Sequence, residues 1–181
     1  MVRRLVPLVC VLAVLVPVAA FLAAGASAKG THQSHTSAAL TVDLGVLQQL
    51  NEIRVAHHLV PLALSPNLNA AARQHSDDML AKGYFAHNSS DGEQFWQRIK
   101  TFYPEPRYGY WSVGENLYWT SGSATAPDSM KAWMASPPHR ANILDPAWRQ
   151  IGIATVSSTD APGTYGNLGA TVITTDFGVR S

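Results

Sequence analysis

Three residues carry most of the chemical potential of this chain: His87 in "YFAHNSSDG", Glu115 in "VGENLYW" and His139 in "MASPPHRANIL". Two imidazoles and a carboxylate suit a zinc-type site that keeps an open position for water. His139 falls in the first turn of a helix that Ser136 and Pro137 are expected to open, the serine as cap and the proline at the first position. The positive end of such a helix disfavours imidazolium, so the sequence predicts a neutral His139 able to bind a metal. Glu115 is then a candidate to steady a ring N–H, to hold a bound water or to act as a base. From spacing alone, capping and solvent contact remain the plainer explanation, because the three residues lie in separate segments.

The remaining candidates read as structural. His75 sits on the apolar face of a helix with Leu68, Ala71, Ala72 and Met79, the setting of a hydrogen-bonded core histidine. Adjacent His57 and His58 mark a surface helix end, and His32 and His35 lie in a small polar stretch as a solvated pair. There is no H-E-x-x-H, G-x-S-x-G or P-loop pattern. "TTDFG" matches a kinase triplet by chance, since no glycine-rich loop accompanies it. The sequence also offers no thiol chemistry downstream of its one cysteine, Cys10, which lies in an N-terminal apolar run. Charge is almost balanced, with a net value of +1 and no basic run, which argues against a nucleic-acid partner.

These residues need a scaffold, and the chain punctuates one clearly. "DLGVLQQLNEIRVAHHL" has helical spacing from Asp43, and "VPLAL" is extended. Ser65-Pro66 opens a second helix, which Gly83 stops. "EQFWQRIKTF" reads as a short amphipathic helix and "DSMKAWM" as another. "VGENLYW" has strand-like ends, and "QIGIATV" and "GATVITTDF" are strands joined by a hairpin connection. Helices first and paired strands last predict an α+β domain with a mainly antiparallel sheet.

Arg3, Arg4, a long apolar run and Ala26-Ser27-Ala28 have the order of a cleavable secretory signal peptide over residues 1–28. A flexible tail is expected over 29–42 and a single domain over 43–181. Cleavage after Ala28 would leave no transmembrane segment, no disulfide, and a net charge of −1. The expected location is secreted or extracellular.

Read together, "AARQHSDDM", "YFAH", "SSDG", "GENLYW", "WMASPPHRANIL" and "IGIA" fall in the order and spacing of a known family. They resemble bacterial members of the CAP superfamily (cysteine-rich secretory proteins, antigen 5 and pathogenesis-related proteins), also called the SCP domain. The resemblance runs from about Val46 to Gly178. It implies a three-layer α-β-α sandwich around a three-stranded antiparallel sheet. It also implies a cleft with two histidines and two glutamates, in which several members bind a divalent ion through the histidines. His87 and His139 match those histidines, Glu115 matches the glutamate of the G-E-N motif, and Asn116 follows it. Ser136 stands where the second glutamate is usual, which removes one carboxylate from the set.

The resemblance fixes no activity. One expectation is a binding module for a lipid, sterol or other apolar ligand, with Tyr103, Tyr108, Tyr110, Trp111 and Trp119 as candidate groove residues against ordinary packing. The second is a metal-dependent hydrolase using zinc-bound water and Glu115 as base. The third is a cell-envelope or host-facing interaction protein whose site only stabilises the fold. The non-enzymatic readings are preferred, with Zn2+ at the histidine pair as a secondary expectation.

Overall fold

The computed structural model describes residues 24–181, with side chains from residue 37 onward. The expected export segment lies almost wholly outside the described residues, and so do the side chains of His32 and His35. Thr36–Ser181 forms one compact unit. No helix among the described residues is long and apolar enough to cross a membrane.

The first helix, α1, spans Ala24–Ala56 and so begins well before Asp43. Residues 29–42, read from sequence as a flexible tail, fall within its span. Thr41 fits the helix by donating its hydroxyl to the Ser37 carbonyl one turn back, at 3.0 Å. The two-residue strand β1 (Ala63–Leu64) follows, and then α2 (Pro66–Lys82). Ser65 Oγ accepts from the Leu68 N–H, Pro66 occupies the first turn, and Gly83 closes the helix at φ 74°. That left-handed position is where glycine avoids a Cβ penalty, so both ends were written locally in the sequence.

Next come α3 (Phe95–Phe102), β2 (Trp111–Ser121), α4 (Ala126–Ala135) and the short α5 (Pro137–Ile143). Two long strands, β3 (Gln150–Ala161) and β4 (Leu168–Arg180), complete the chain, joined through a 3-10 turn at Gly163–Tyr165. Strand order is β1-β3-β4-β2. The three long strands pair antiparallel, as expected, and β1 adds a fourth, parallel strand on the β3 edge.

Strand alternation sorts the core into two layers. Ile151, Ile153, Ile173 and Phe177 face one way and bury Val46 and Leu50 of α1, Met130 and Trp133 of α4 and Ile143 of α5. Leu117, Ala170 and Val172 face the other way, against Met79 and Leu80 of α2. On that same side Leu68 and Ala71 of α2 pack with Ile99 and Tyr103 of α3. The result is the α-β-α sandwich. Full burial of side chains of this kind contributes roughly 1.5–3 kcal/mol each.

Two contacts fix the helices that carry the site. Arg54 of α1 is fully buried and donates to the carbonyls of Val60, Ile143 and Asp145 at 2.7–3.0 Å, which ties down the end of α5. Trp148 Nε1 donates to the Asn142 carbonyl at 3.0 Å while its ring stacks on Phe177.

Candidate functional site

β2 lies at the free edge of the sheet, and two consecutive residues of it face opposite layers. Glu115 points toward α2 and α3, and Asn116 points toward α5. Each supports one of the two histidines.

On the first side, Glu115 Oε1 accepts from His87 Nδ1 at 2.8 Å. Its other oxygen, Oε2, accepts a short charge-assisted bond from Arg98 Nη2 of α3. Arg98 Nη1 also donates to the His87 carbonyl at 3.0 Å, so one guanidinium holds both the carboxylate and the loop that it orients. Glu115 is only 4% exposed, whereas the His87 side chain is 50% exposed. The carboxylate is therefore a buried support and the imidazole is its accessible end.

On the second side, Asn116 Nδ2 donates to the His139 carbonyl at 3.0 Å. Asn142 of α5 donates to the Glu115 carbonyl at 3.0 Å and to Asn116 Oδ1 at 2.9 Å. Ser136 is the N-cap residue of α5 by backbone position, but its hydroxyl makes no capping bond. It pairs instead with His139 Nδ1 at 2.8 Å. The capping role expected of that hydroxyl is thus corrected: the ring three residues on takes its place.

Both imidazoles are biased toward the neutral form. Burial lowers the pKa of His87, with the nearby Arg98 charge adding to the effect. Burial also lowers that of His139, and the positive charge that His87 can carry adds to it. The sequence attributed the neutrality of His139 to the helix end, but α5 has only seven residues and burial is the dominant cause. With Glu115 accepting from Nδ1–H of His87, the Nε2 lone pair is left bare. Ser136 does the same for His139 when its oxygen accepts.

This arrangement decides what Glu115 can do. Both of its oxygens are engaged and the group is buried, so it orients His87 more readily than it could take a proton from a bound water. The donor chemistry of the two Nε2 atoms fits a divalent ion. Among the described residues, however, no group of three or more His, Cys, Asp or Glu side chains is placed to hold one. Zinc sites usually have three or four protein ligands, so the pair alone would leave half of a tetrahedral set to water.

Sequence reasoning missed two members of the cluster. Arg98 was not singled out within the short amphipathic helix "EQFWQRIKTF", yet it is 3% exposed. Asp176, in the dismissed "TTDFG", is fully buried and stands opposite Glu115 in the β2–β4 register. A carboxylate in the middle of a buried strand was the available signal. His75 behaves as expected: it is buried, its Nε2 pairs with the Ala86 carbonyl at 2.9 Å, and burial drives its pKa down to about 3. His75 and Arg98 also line a cavity of about 110 Å³ with Gln74, Asp78, Lys82 and Glu93.

The aromatic group does not share one wall. Tyr103 is buried and hydrogen-bonded to Gln150, and Trp111 donates to the Tyr103 carbonyl. Trp119 packs edge-on against Tyr165. Only Tyr108 and Tyr110 are exposed, at 81% and 55%.

Comparison with known proteins places this architecture. Residues 47–174 match the sequence profile of the cysteine-rich secretory protein family, CAP. YkwD, an uncharacterised protein of Bacillus subtilis, is 33% identical over 135 residues, covering 75% of this chain and 50% of that protein. A second B. subtilis protein, the uncharacterised membrane protein YlbC, is 26% identical over 62% of this chain and 31% of its own length. The chain therefore spans half or less of the curated relatives it matches. An outer surface protein of Borrelia burgdorferi superposes with a TM-score of 0.61 at 20% identity, over 75% of this chain and 90% of that one. An extracellular SCP-domain protein of Bacillus anthracis gives 0.58 at 21% identity, over 82% and 42%. With its sandwich, its G-E-N strand and its two supported histidines, the chain belongs to the cysteine-rich secretory protein (CAP) family.

Proposed function

We propose that this protein is an exported binding module rather than an enzyme, and that its cleft engages ligands through the free Nε2 atoms of His87 and His139. The single observation that carries this reading is the support of each ring. Nδ1 of His87 is held by Glu115 and Nδ1 of His139 by Ser136. Such outer partners fix the tautomer and raise the basicity of a ligating nitrogen. A divalent ion such as Zn2+ is the simplest ligand of this kind, bound with open positions that a partner's own donor could fill. When bound, it would supply a Lewis-acidic centre; the chain's own residues orient the rings and keep them neutral.

Export is supported by the Arg-flanked apolar N-terminus, by family membership and by the extracellular and outer-surface descriptions of two structural relatives. The hydrolase reading is disfavoured by the engagement of both Glu115 oxygens. An apolar ligand would have to rely on Tyr108 and Tyr110, because Tyr103 and Trp119 are committed to packing.

The test is calorimetric zinc titration of the purified mature chain and of a His87→Ala, His139→Ala double variant, together with solvent extraction for copurified lipid and a hydrolase screen. Zinc binding that falls at least tenfold in the double variant supports the reading. Equal binding by both proteins would sink the metal claim, and hydrolysis abolished by Glu115→Gln would overturn the non-enzymatic one.

A further inference from the structure

Behind Glu115 lies a second carboxyl group with no evident counter-charge. Asp176 on β4 is the direct register partner of Glu115 on β2, so the two carboxyl groups project side by side from adjacent strands on the same buried face of the sheet. Asp176 is fully buried, and neither of its oxygens has a hydrogen-bond donor among the described groups. The titratable and charged groups that act on the pair are His87 of the loop after α2 and Arg98 of α3. Of these only Arg98 is a fixed cation, and its two terminal nitrogens are used on Glu115 and on the His87 carbonyl.

Charge and hydrogen-bond capacity together say where a proton must be. Two buried carboxylates facing one guanidinium would leave an uncompensated negative charge, and two ionised carboxyls cannot hydrogen-bond to each other. One proton removes both problems. Burial raises the Glu115 pKa to about 7, and the Arg98 charge and the N–H donors on its two oxygens pull it back toward the ionised form. Asp176 receives none.

We propose that Asp176 is a positioning residue held as a neutral carboxylic acid, which donates its O–H to Glu115 and so fixes the carboxylate that aims His87. Glu115 thereby takes three donors, from Arg98, His87 and Asp176, within the four lone-pair sites of a carboxylate. Burial and the adjacent Glu115 charge both raise the Asp176 pKa well above the ordinary aspartate range, in agreement with this placement. The inference builds on the reading of His87 as the ligand-facing residue, but its tests need no ligand or metal, so the two stand or fall separately.

The experiment compares wild type with Asp176→Asn. The amide keeps a donor toward Glu115 and is as neutral as the acid that it replaces. Two measurements on the apo protein follow. In isotope-edited infrared spectra at neutral pH, wild type should show a protonated carboxylic-acid band that Asp176→Asn removes. In NMR titrations, the His87 midpoint should differ by less than about 0.3 pH units between the two proteins, and the Nδ1–H tautomer should persist in both. Absence of the acid band, or a His87 midpoint lowered by half a unit or more in Asp176→Asn, would mean that Asp176 is an anion and would overturn the proposal. If Asp176→Asn does not fold, the wild-type band at neutral pH, assigned by selective aspartate labelling and by its loss in Asp176→Glu, still decides the matter.

Discussion

Replacing Arg98 with methionine probes the cluster at its one cation. Arg98 is 3% exposed, and methionine fills much of the aliphatic stem without restoring the charge. The variant leaves Glu115 buried with His87 as its remaining polar partner outside the carboxyl pair. Breaking a buried ion pair from one side costs about 3–5 kcal/mol, a large share of the roughly 5–15 kcal/mol by which a domain is stable. The loss must depend on pH. Burial holds the Glu115 pKa up at about 7 against the pull of Arg98, so without that charge the folded-state value rises further and the folded state holds the proton more tightly. Stability from this group is then fully present below about pH 4.3 and lost as pH rises through the raised folded value. Urea unfolding, followed through the five tryptophans, should show the full loss at pH 8 and less than half of it at pH 5. A loss below about 1 kcal/mol at both values would refute the buried ion pair as the centre of the site.

Two further perturbations test the scaffold. Asp43 of α1 has its pKa raised from 3.8 to about 6 by burial, so its contribution is present below pH 3.8 and lost as pH rises to 6, about 3 kcal/mol in all. Asp43→Asn should therefore raise stability at pH 7 by up to that amount and give no gain at pH 4, as read by thermal unfolding. A Cβ on Gly152 would overlap the backbone of Leu68 and Asn69, where α2 lies directly on β3 and Asn69 Oδ1 accepts from the Ile153 N–H at 2.8 Å. Gly152→Ala should cost about 3 kcal/mol or more in urea unfolding, since backbone cannot yield as a side chain does.

The parts of this molecule that were legible in sequence are those with local causes. Ser65-Pro66 and Gly83 announced α2 because capping involves residues within one turn. His87, Glu115 and His139 stood out by residue type and motif, and the structure places each beside a supporting side chain. Arg98 and Asp176 were illegible because their meaning arises from packing between distant segments. Asp176 meets Glu115 only through the β2–β4 register, with some sixty residues between them. Ser136 was legible as a helix start but not as the partner of His139, since one hydroxyl can serve either and only the rotamer decides. The two-residue β1 was too short to carry a periodic signal, although "VPLAL" did read as extended.

The central claim concerns two imidazole nitrogens, and locating a bound ion tests it most directly. Crystals of the mature protein grown with zinc should give an anomalous peak at the zinc edge in contact with Nε2 of both His87 and His139. A peak elsewhere, or none at either ring, would contradict the account.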